Sequence, residues 1–405
     1  MVSINLKKGL TVLAALFICH FAIAQSGCTD PTATNYNIAA TVNDGSCVYS
    51  VTHSTPLLKG YFSSVLNESS GLVWTDGKLW SHGDSGNPAA IYSVDTTNGH
   101  TLQTVYIDNY PNTDWEDITA DRNYIYIDNA GNNNGDRTDL SILKILKSDI
   151  TSASVVHLNA QAISFSYSDQ VSFVSSSHHN FDCEALMSVK DSLYIFTKDR
   201  GDLQTRVYKL PKTPGAYIVS PYTSYNINGL ITGADYDAVT NEVVLIGYFS
   251  GHSNSFLWFL NDFRGDMFFS GNKRRIEIGS GAEWQTEGVC YISAHNFFLS
   301  CESAGAINAS LYVDNENWLS STMVNYLRYA KGISCYPNPV VDAINIDLVT
   351  SSCDYKIFNV AGIVMQEGIL TPGPNSIKVA SFVPGTYILE TGKGPQTKSQ
   401  IIVKQ

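Results

Sequence analysis

The sequence predicts an all-β protein: a propeller of five blades, with room for a sixth, followed by a small second β domain. Three observations predict this. Only 15% of the 405 residues are charged, while Tyr and Gly are abundant, a balance that suits strands and turns better than helices. An acid followed by a small residue and an apolar run recurs five times between Val51 and Tyr329. Beyond Gly332 that repeat stops and shorter alternating runs begin.

The N-terminus reads as a signal peptide over residues 1–24. Lys7 and Lys8 precede the apolar run Gly9 to Phe21, and Ala22-Ile23-Ala24 supplies small residues for cleavage before Gln25. No later stretch approaches the roughly 18 apolar residues of a membrane span, so no transmembrane segment is expected in the mature protein. The formal net charge of -12 argues against nucleic acid as a partner, because phosphate binding needs a basic surface.

Export allows disulfides. Cys28 is expected to pair with Cys47, closing a module over residues 25–50. Cys290 is expected to pair with Cys301 across a hairpin turning at His295-Asn296. Cys335 with Cys353 is a third option, and the odd count leaves Cys183 as a buried free thiol. The 25–50 module runs from Cys28-Thr29-Asp30-Pro31 to Asp44-Gly45-Ser46-Cys47. It reads as a disulfide-closed spacer, its acids being an alternative calcium site outside any EF-hand pattern.

Residues 51–330 carry the repeat. The units start at Glu68-Ser69-Ser70-Gly71-Leu72, Glu116-Asp117-Ile118, Glu184-Ala185-Leu186, Asp235-Tyr236 and Glu287-Gly288-Val289. A second apolar strand follows each start and breaks at Gly86, Gly131, Gly201, Gly251 or Gly305, 15 to 18 residues after the acid. Repeats of about fifty residues with several strands each are propeller blades, and a blade buries both faces only when the ring closes. Leu57 to Leu66 is expected to close it as an outer strand of the last blade. The long gap between Glu116 and Glu184, with strand-like sequence at Ala162 to Tyr167, is where a sixth blade would fit.

In a propeller the first strand of each blade lines the central channel. Glu68, Glu116, Asp117, Glu184, Asp235 and Glu287 are therefore expected to converge at one mouth, where a cation or hydrogen-bond donors must balance them. An oxygen-only set suits a hard cation, calcium first. The alternative is that these polar groups only join neighbouring blades. Further ligand-binding candidates are Asp84, Asp128, Asn132, Arg137, Lys198 and Glu302, with Lys198 and Arg137 as counter-charges. His82, His179 and Asp117 are the candidate catalytic groups, although a lone histidine is more often a structural hydrogen-bonding residue. No Gly-x-Ser-x-Gly elbow, His-Glu-x-x-His pair or P-loop occurs.

Residues 331–405 open with Tyr336-Pro337-Asn338-Pro339, carry Pro384-Gly385-Thr386-Tyr387 near the end and finish on Lys404-Gln405. They closely resemble the C-terminal sorting domain of type IX secretion in Bacteroidetes. The resemblance implies an immunoglobulin-like sandwich read by the secretion machinery, hence a secreted or cell-surface protein. The 25–50 module resembles a segment common in surface proteins of the same phylum. Glu-Ser-Ser-Gly-Leu, Asp-Trp-Glu-Asp-Ile, Asp-Cys-Glu-Ala-Leu and Thr-Gly-Ala-Asp-Tyr loosely resemble phytase-like esterase and gluconolactonase-type propellers. That likeness implies a calcium-dependent channel site acting on a phosphoester or lactone, but the expected later asparagine ligands and basic phosphate site have no clear counterpart. The expected function is ligand binding at a carboxylate-lined, calcium-binding channel, with a metal-dependent hydrolase as the alternative and a purely structural surface module as a third reading.

Overall fold

The computed structural model describes residues 25–249, 253–279, 284–316, 335–348, 352–360, 362–392 and 398–405. The proposed signal peptide lies outside the described residues. The chain divides into two compact units between Asn315 and Glu316. Among the described residues no helix is long and apolar enough to cross a membrane.

Among the described residues, the first unit contains a two-stranded sheet of Ser26–Gly27 and Val42–Asn43 and five larger sheets, each beginning at an inner strand: Ser69–Thr75, Ile118–Ala120, Cys183–Val189, Leu230–Asp237 and Thr286–Ser293. Each inner strand touches the next, and the last touches the first, so the ring is closed with five blades. The long gap holds no sixth blade. Gln161–Tyr167 is the fourth strand of blade 2, and Val155–Leu158 adds in parallel to the outer edge of blade 1. An outer edge exposes unpaired backbone groups, and connecting segments cover it here.

Closure occurs where expected. Leu57–Tyr61 pairs antiparallel with Ser310–Asn315 as the outermost strand of blade 5. Burial is concentrated between blades: Ile118, Ile127 and Leu143 of blade 2 pack with Val73 and Ile91 of blade 1. Leu186 and Ile195 pack with Tyr126 and Ile142, and Leu72 and Leu79 pack with Cys290 and Leu311 across the closing joint.

The cysteines follow the expectation only in part. Cys28 and Cys47 are bonded, whereas Cys290, Cys301, Cys335 and Cys353 are free, as is buried Cys183. The Cys290–Cys301 pairing fails because the ladder takes a different register. Ser293 faces Asn296, which puts the turn at Ala294-His295, and irregularities leave Cys290 opposite Phe298 and Cys301 opposite Thr286. His295 takes the positive φ (64°) that this turn needs.

The 25–50 module is no free spacer, since it packs on blade 4. Its acids are also occupied locally: Asp30 accepts bonds from Thr32 N and Tyr49 Oη, and Asp44 caps Ser46 N.

The second unit is a sandwich. A sheet of Cys335–Tyr336, Ala343–Leu348 and Gly373–Lys378 faces a sheet of Val364–Leu370, Cys353–Asn359, Gly385–Thr391 and Lys398–Lys404. Ile344, Ile346, Ile357, Leu389 and Ile402 fill the space between them. Asn338 of the opening motif ties down the last strand, accepting from Val403 N and donating to Ile401 O, both at 2.8 Å.

Candidate cation site at the channel mouth

Register explains why the repeat has an acid, a small residue and then an apolar one. Leu72, Ile118, Leu186, Ala234 and Val289 take equivalent places facing the second strands. One residue earlier stand Gly71, Asp117, Ala185, Gly233 and Gly288, and one earlier still stand Ser70, Glu116, Glu184, Thr232 and Glu287. In blades 1, 3, 4 and 5 the ladder is irregular here, as a β-bulge requires when it re-aims a side chain. The small residues are needed because the inner strands crowd together. A Cβ on Gly71 would lie 2.8 Å from Asp117 Cα, and one on Gly233 would lie 2.4 Å from Glu287 O.

Two positions in the expected ring therefore change. Ser70 replaces Glu68, and its Oγ lies 3.4 Å from Glu116 Oε2. Glu68 itself sits exposed at the rim, accepting from Asn87 Nδ2 at 2.6 Å. In blade 4 the equivalent position is Thr232, whose Oγ1 donates to Thr286 O at 2.7 Å. Asp235 lies three residues further along the strand and accepts from Tyr291 N at 2.8 Å, tying blade 4 to blade 5. The repeat starts with an acid in each unit, but those acids do not all share one level of the channel.

Asp117 is also separate from the mouth. It alone carries a long side chain where the other blades have Gly or Ala, so it fills the axis they leave open. Its carboxylate accepts from Ile118 N, Leu186 N and Ala234 N, joining blades 2, 3 and 4 at the waist. Burial pushes its pKa well above the usual carboxylate range, with the three N–H donors acting the other way.

At the mouth, carboxylate oxygens of Asp84, Asp114 and Glu116 lie within 4.8 Å of one another, and so do those of Glu116, Asp182 and Glu184. The two groups share Glu116 and differ in their balance. Lys198 Nζ is 2.8 Å from Glu184, and Arg200 pairs with Asp182 and reaches Glu184 at 3.5 Å. Against the cost of burial, Arg200 and Lys198 hold Asp182 below the usual range. Lys198 is held up, also against burial, by Glu184, Tyr248 and Glu287. Among the described residues no Lys or Arg forms an ion pair with the first group, and Lys198 acts on Asp84 and Asp114 only from further away. Arg137 is spent on the loop, donating to Gly131 O and Asn129 O and pairing with Asp139.

Consequently burial pushes Glu116 far up, reinforced by Glu184, Asp84 and Asp114, and raises Asp84 to about 6. Burial likewise raises Glu302 to about 9, with Glu287 and Asp84 adding to it. Glu116 Oε1 and Glu287 Oε2 are buried without a hydrogen-bond partner. Gly131 packs directly against the first group, since a Cβ there would lie 2.2 Å from Glu116 Oε1 and 2.7 Å from Asp114 Oδ2.

The other candidates have local roles. Asn132 braces its loop through Phe181 O and Arg137 N. Asp128 accepts from Cys183 Sγ at 2.8 Å, between blades 2 and 3. His82 is buried edge-on against Trp115 with Nδ1 at Gly83 O, and burial lowers its pKa to about 4. His179 Nε2 lies 3.2 Å from Asn133 O and its Nδ1 accepts from Phe181 N. Neither imidazole belongs to the carboxylate groups.

Asp114, Asp182 and Arg200 were missed by the sequence reading. A signal for the acids was present: Asp114-Trp115-Glu116 and Asp182-Cys183-Glu184 share an Asp-x-Glu spacing. Alternate residues of an extended segment point to one side.

Residues 334–405 match the secretion system C-terminal sorting domain family. No curated protein matches the chain. Among solved structures, the chain is similar to a PQQ-bound aldose sugar dehydrogenase from Streptomyces coelicolor (12% identity, 64% of this chain and 97% of that one, TM-score 0.40). It is also similar to a gluconolactonase from Xanthomonas campestris (10%, 65% and 96%, 0.35). A third similar structure is PorZ, a surface component of the type IX secretion system of Porphyromonas gingivalis (12%, 83% and 45%, 0.29). The sorting domain marks this protein for the type IX machinery and for the cell surface or secretion.

Proposed function

We propose that this exported propeller is a ligand-binding protein whose channel mouth holds a divalent cation, of the calcium type, between Asp84, Asp114 and Glu116. The observation that carries this reading is the buried, unpartnered Glu116 Oε1, against which Gly131 packs so closely that a Cβ there would lie 2.2 Å away. Three oxygen-donor carboxylates that no Lys or Arg meets in an ion pair among the described residues suit a hard cation. Asp182 and Glu184, already balanced by Lys198 and Arg200, form the adjoining wall. A cation at the mouth would keep positions open toward solvent, where hydroxyl or carboxylate oxygens of a ligand can coordinate. Binding is favoured over hydrolysis because His82 and His179 are engaged in local contacts and Asp117 is bound to backbone N–H groups.

The test is calcium content and calcium-dependent melting of the purified chain. Mass action raises the melting temperature of a protein that binds an ion only when folded. Glu116→Gln should abolish that shift while leaving the chain folded, and Gly131→Ala should weaken it. A shift that persists unchanged in Glu116→Gln rules this site out.

A further inference from the structure

The contacts of residues 25–50 are concentrated on one target, the outer part of blade 4. Asn43 Nδ2 donates to Asp262 Oδ2 at 2.7 Å and to Asn272 Oδ1 at 2.8 Å. Thr29 Oγ1 reaches the same Asp262 oxygen at 3.4 Å. Arg264 and Lys273 answer from the blade, donating to Asn43 O and Gly45 O. Arg274 lies over the Tyr49 ring at 5.3 Å. Gly45 has φ +76°, and a Cβ there would lie 2.8 Å from Ser270 O, so this contact needs glycine on two counts.

The contact continues inward through side chains. Asn272 donates to Asn261 at 3.0 Å, Asn261 to Glu242 at 2.8 Å, and Tyr291 of blade 5 donates to the other Glu242 oxygen at 2.9 Å. Asn272, Glu242 and Tyr291 are buried. Polar chains of this kind stabilise only when each member is satisfied, and Asn43 supplies the outermost donor.

The chain then runs from the module to the joint of the ring. Thr52–His53 pairs in parallel with the edge of blade 4, and Ser54 bridges Glu277 O of blade 4 and Asp314 of blade 5. Leu57–Tyr61 follows as the closing strand. That strand is held by its ladder to blade 5, while its Leu57 and Leu58 side chains are exposed.

We propose that residues 25–50, held in shape by Cys28–Cys47, are a clasp that keeps the propeller ring shut by fixing the chain just before its closing strand. The docking surface is Asp262, Arg264, Asn272 and Lys273, and its occupant is this chain's own N-terminal module. Disulfides form and persist outside the cytoplasm, so the clasp is compatible with an exported chain. The clasp stands independently of any cation at the mouth.

The test is amide hydrogen exchange on the full chain, comparing wild type with Asn43→Ala, Asp262→Ala, their double variant and Cys28→Ser/Cys47→Ser. Exchange across 52–61 should accelerate about tenfold in the single variants, a local opening change of about 1.4 kcal/mol. Gln161–Tyr167 on blade 2 should keep its wild-type rate. The double variant should be no worse than the more severe single one, as expected for partners in one contact. Should the cysteine variant not fold, Asn43→Ala and Asp262→Ala decide the matter alone. Acceleration confined to 25–50, or spread equally over all blades, overturns the proposal.

Discussion

The mouth and the waist of the channel are built from adjacent residues and have opposite chemistry. Glu116 and Asp117 are neighbours in sequence, and both are buried. Asp117 meets three backbone N–H groups from three blades. Glu116 meets carboxylates of Asp84, Asp114, Asp182 and Glu184. The first is a satisfied acceptor that joins inner strands, and the second is an unsatisfied one that invites a cation. A buried carboxylate is thus structural or functional according to what faces it, because desolvation costs both alike and only the partners differ.

Removing the waist group should have the largest effect. Asp117→Ala leaves three buried N–H donors without an acceptor, each worth about 1–3 kcal/mol. Denaturant unfolding should show a loss of at least about 3 kcal/mol, whereas Asp117→Asn, which keeps an acceptor oxygen, should lose less. If Asp117→Ala is nearly neutral, the waist is not held by this carboxylate.

A pH series tests two further buried carboxylates near these levels. Burial raises Asp235, which ties blade 4 to blade 5, to about 7 and Glu302, near Glu287 and Asp84, to about 9. Each folded value exceeds that of the unfolded chain, so between the two values the folded state binds more protons. In cation-free buffer these groups make stability greatest near pH 4; it should fall through pH 7 as Asp235 ionises and further toward pH 9 as Glu302 does. Stability that rises over this window would contradict both assignments.

The smallest effect is expected just outside the mouth. His179→Ala removes a ring packed on the 133–135 loop and should cost under about 1 kcal/mol, leaving the calcium-dependent melting shift intact. Loss of that shift would move the site toward blade 3.

Much of the fold was legible because closure of a repeat is a local matter repeated. Acid, small residue and apolar residue appear in sequence order, and Leu57 onward had the apolar character of a missing outer strand. The site was only half legible. Glu116, Glu184 and Glu287 stand at the predicted level, but in blades 1 and 4 the bulged position itself carries Ser70 and Thr232, so that Glu68 lies before it and Asp235 beyond it. Bulges insert a residue without changing composition, so spacing cannot reveal them. The same limit misled the Cys290–Cys301 pairing, since a hairpin register depends on a turn that two adjacent positions could equally make.

By itself the sequence determined an exported chain with a β repeat, a Cys28–Cys47 loop and a C-terminal sorting domain, because composition, period and motif are local properties. Tertiary structure alone decided that Asp84, Asp114 and Glu116 form one cluster while Asp117 does not. It also decided that residues 25–50 lie on a blade more than two hundred positions away. Those outcomes depend on which backbone groups and charges a closed ring brings face to face, and no local pattern encodes that geometry.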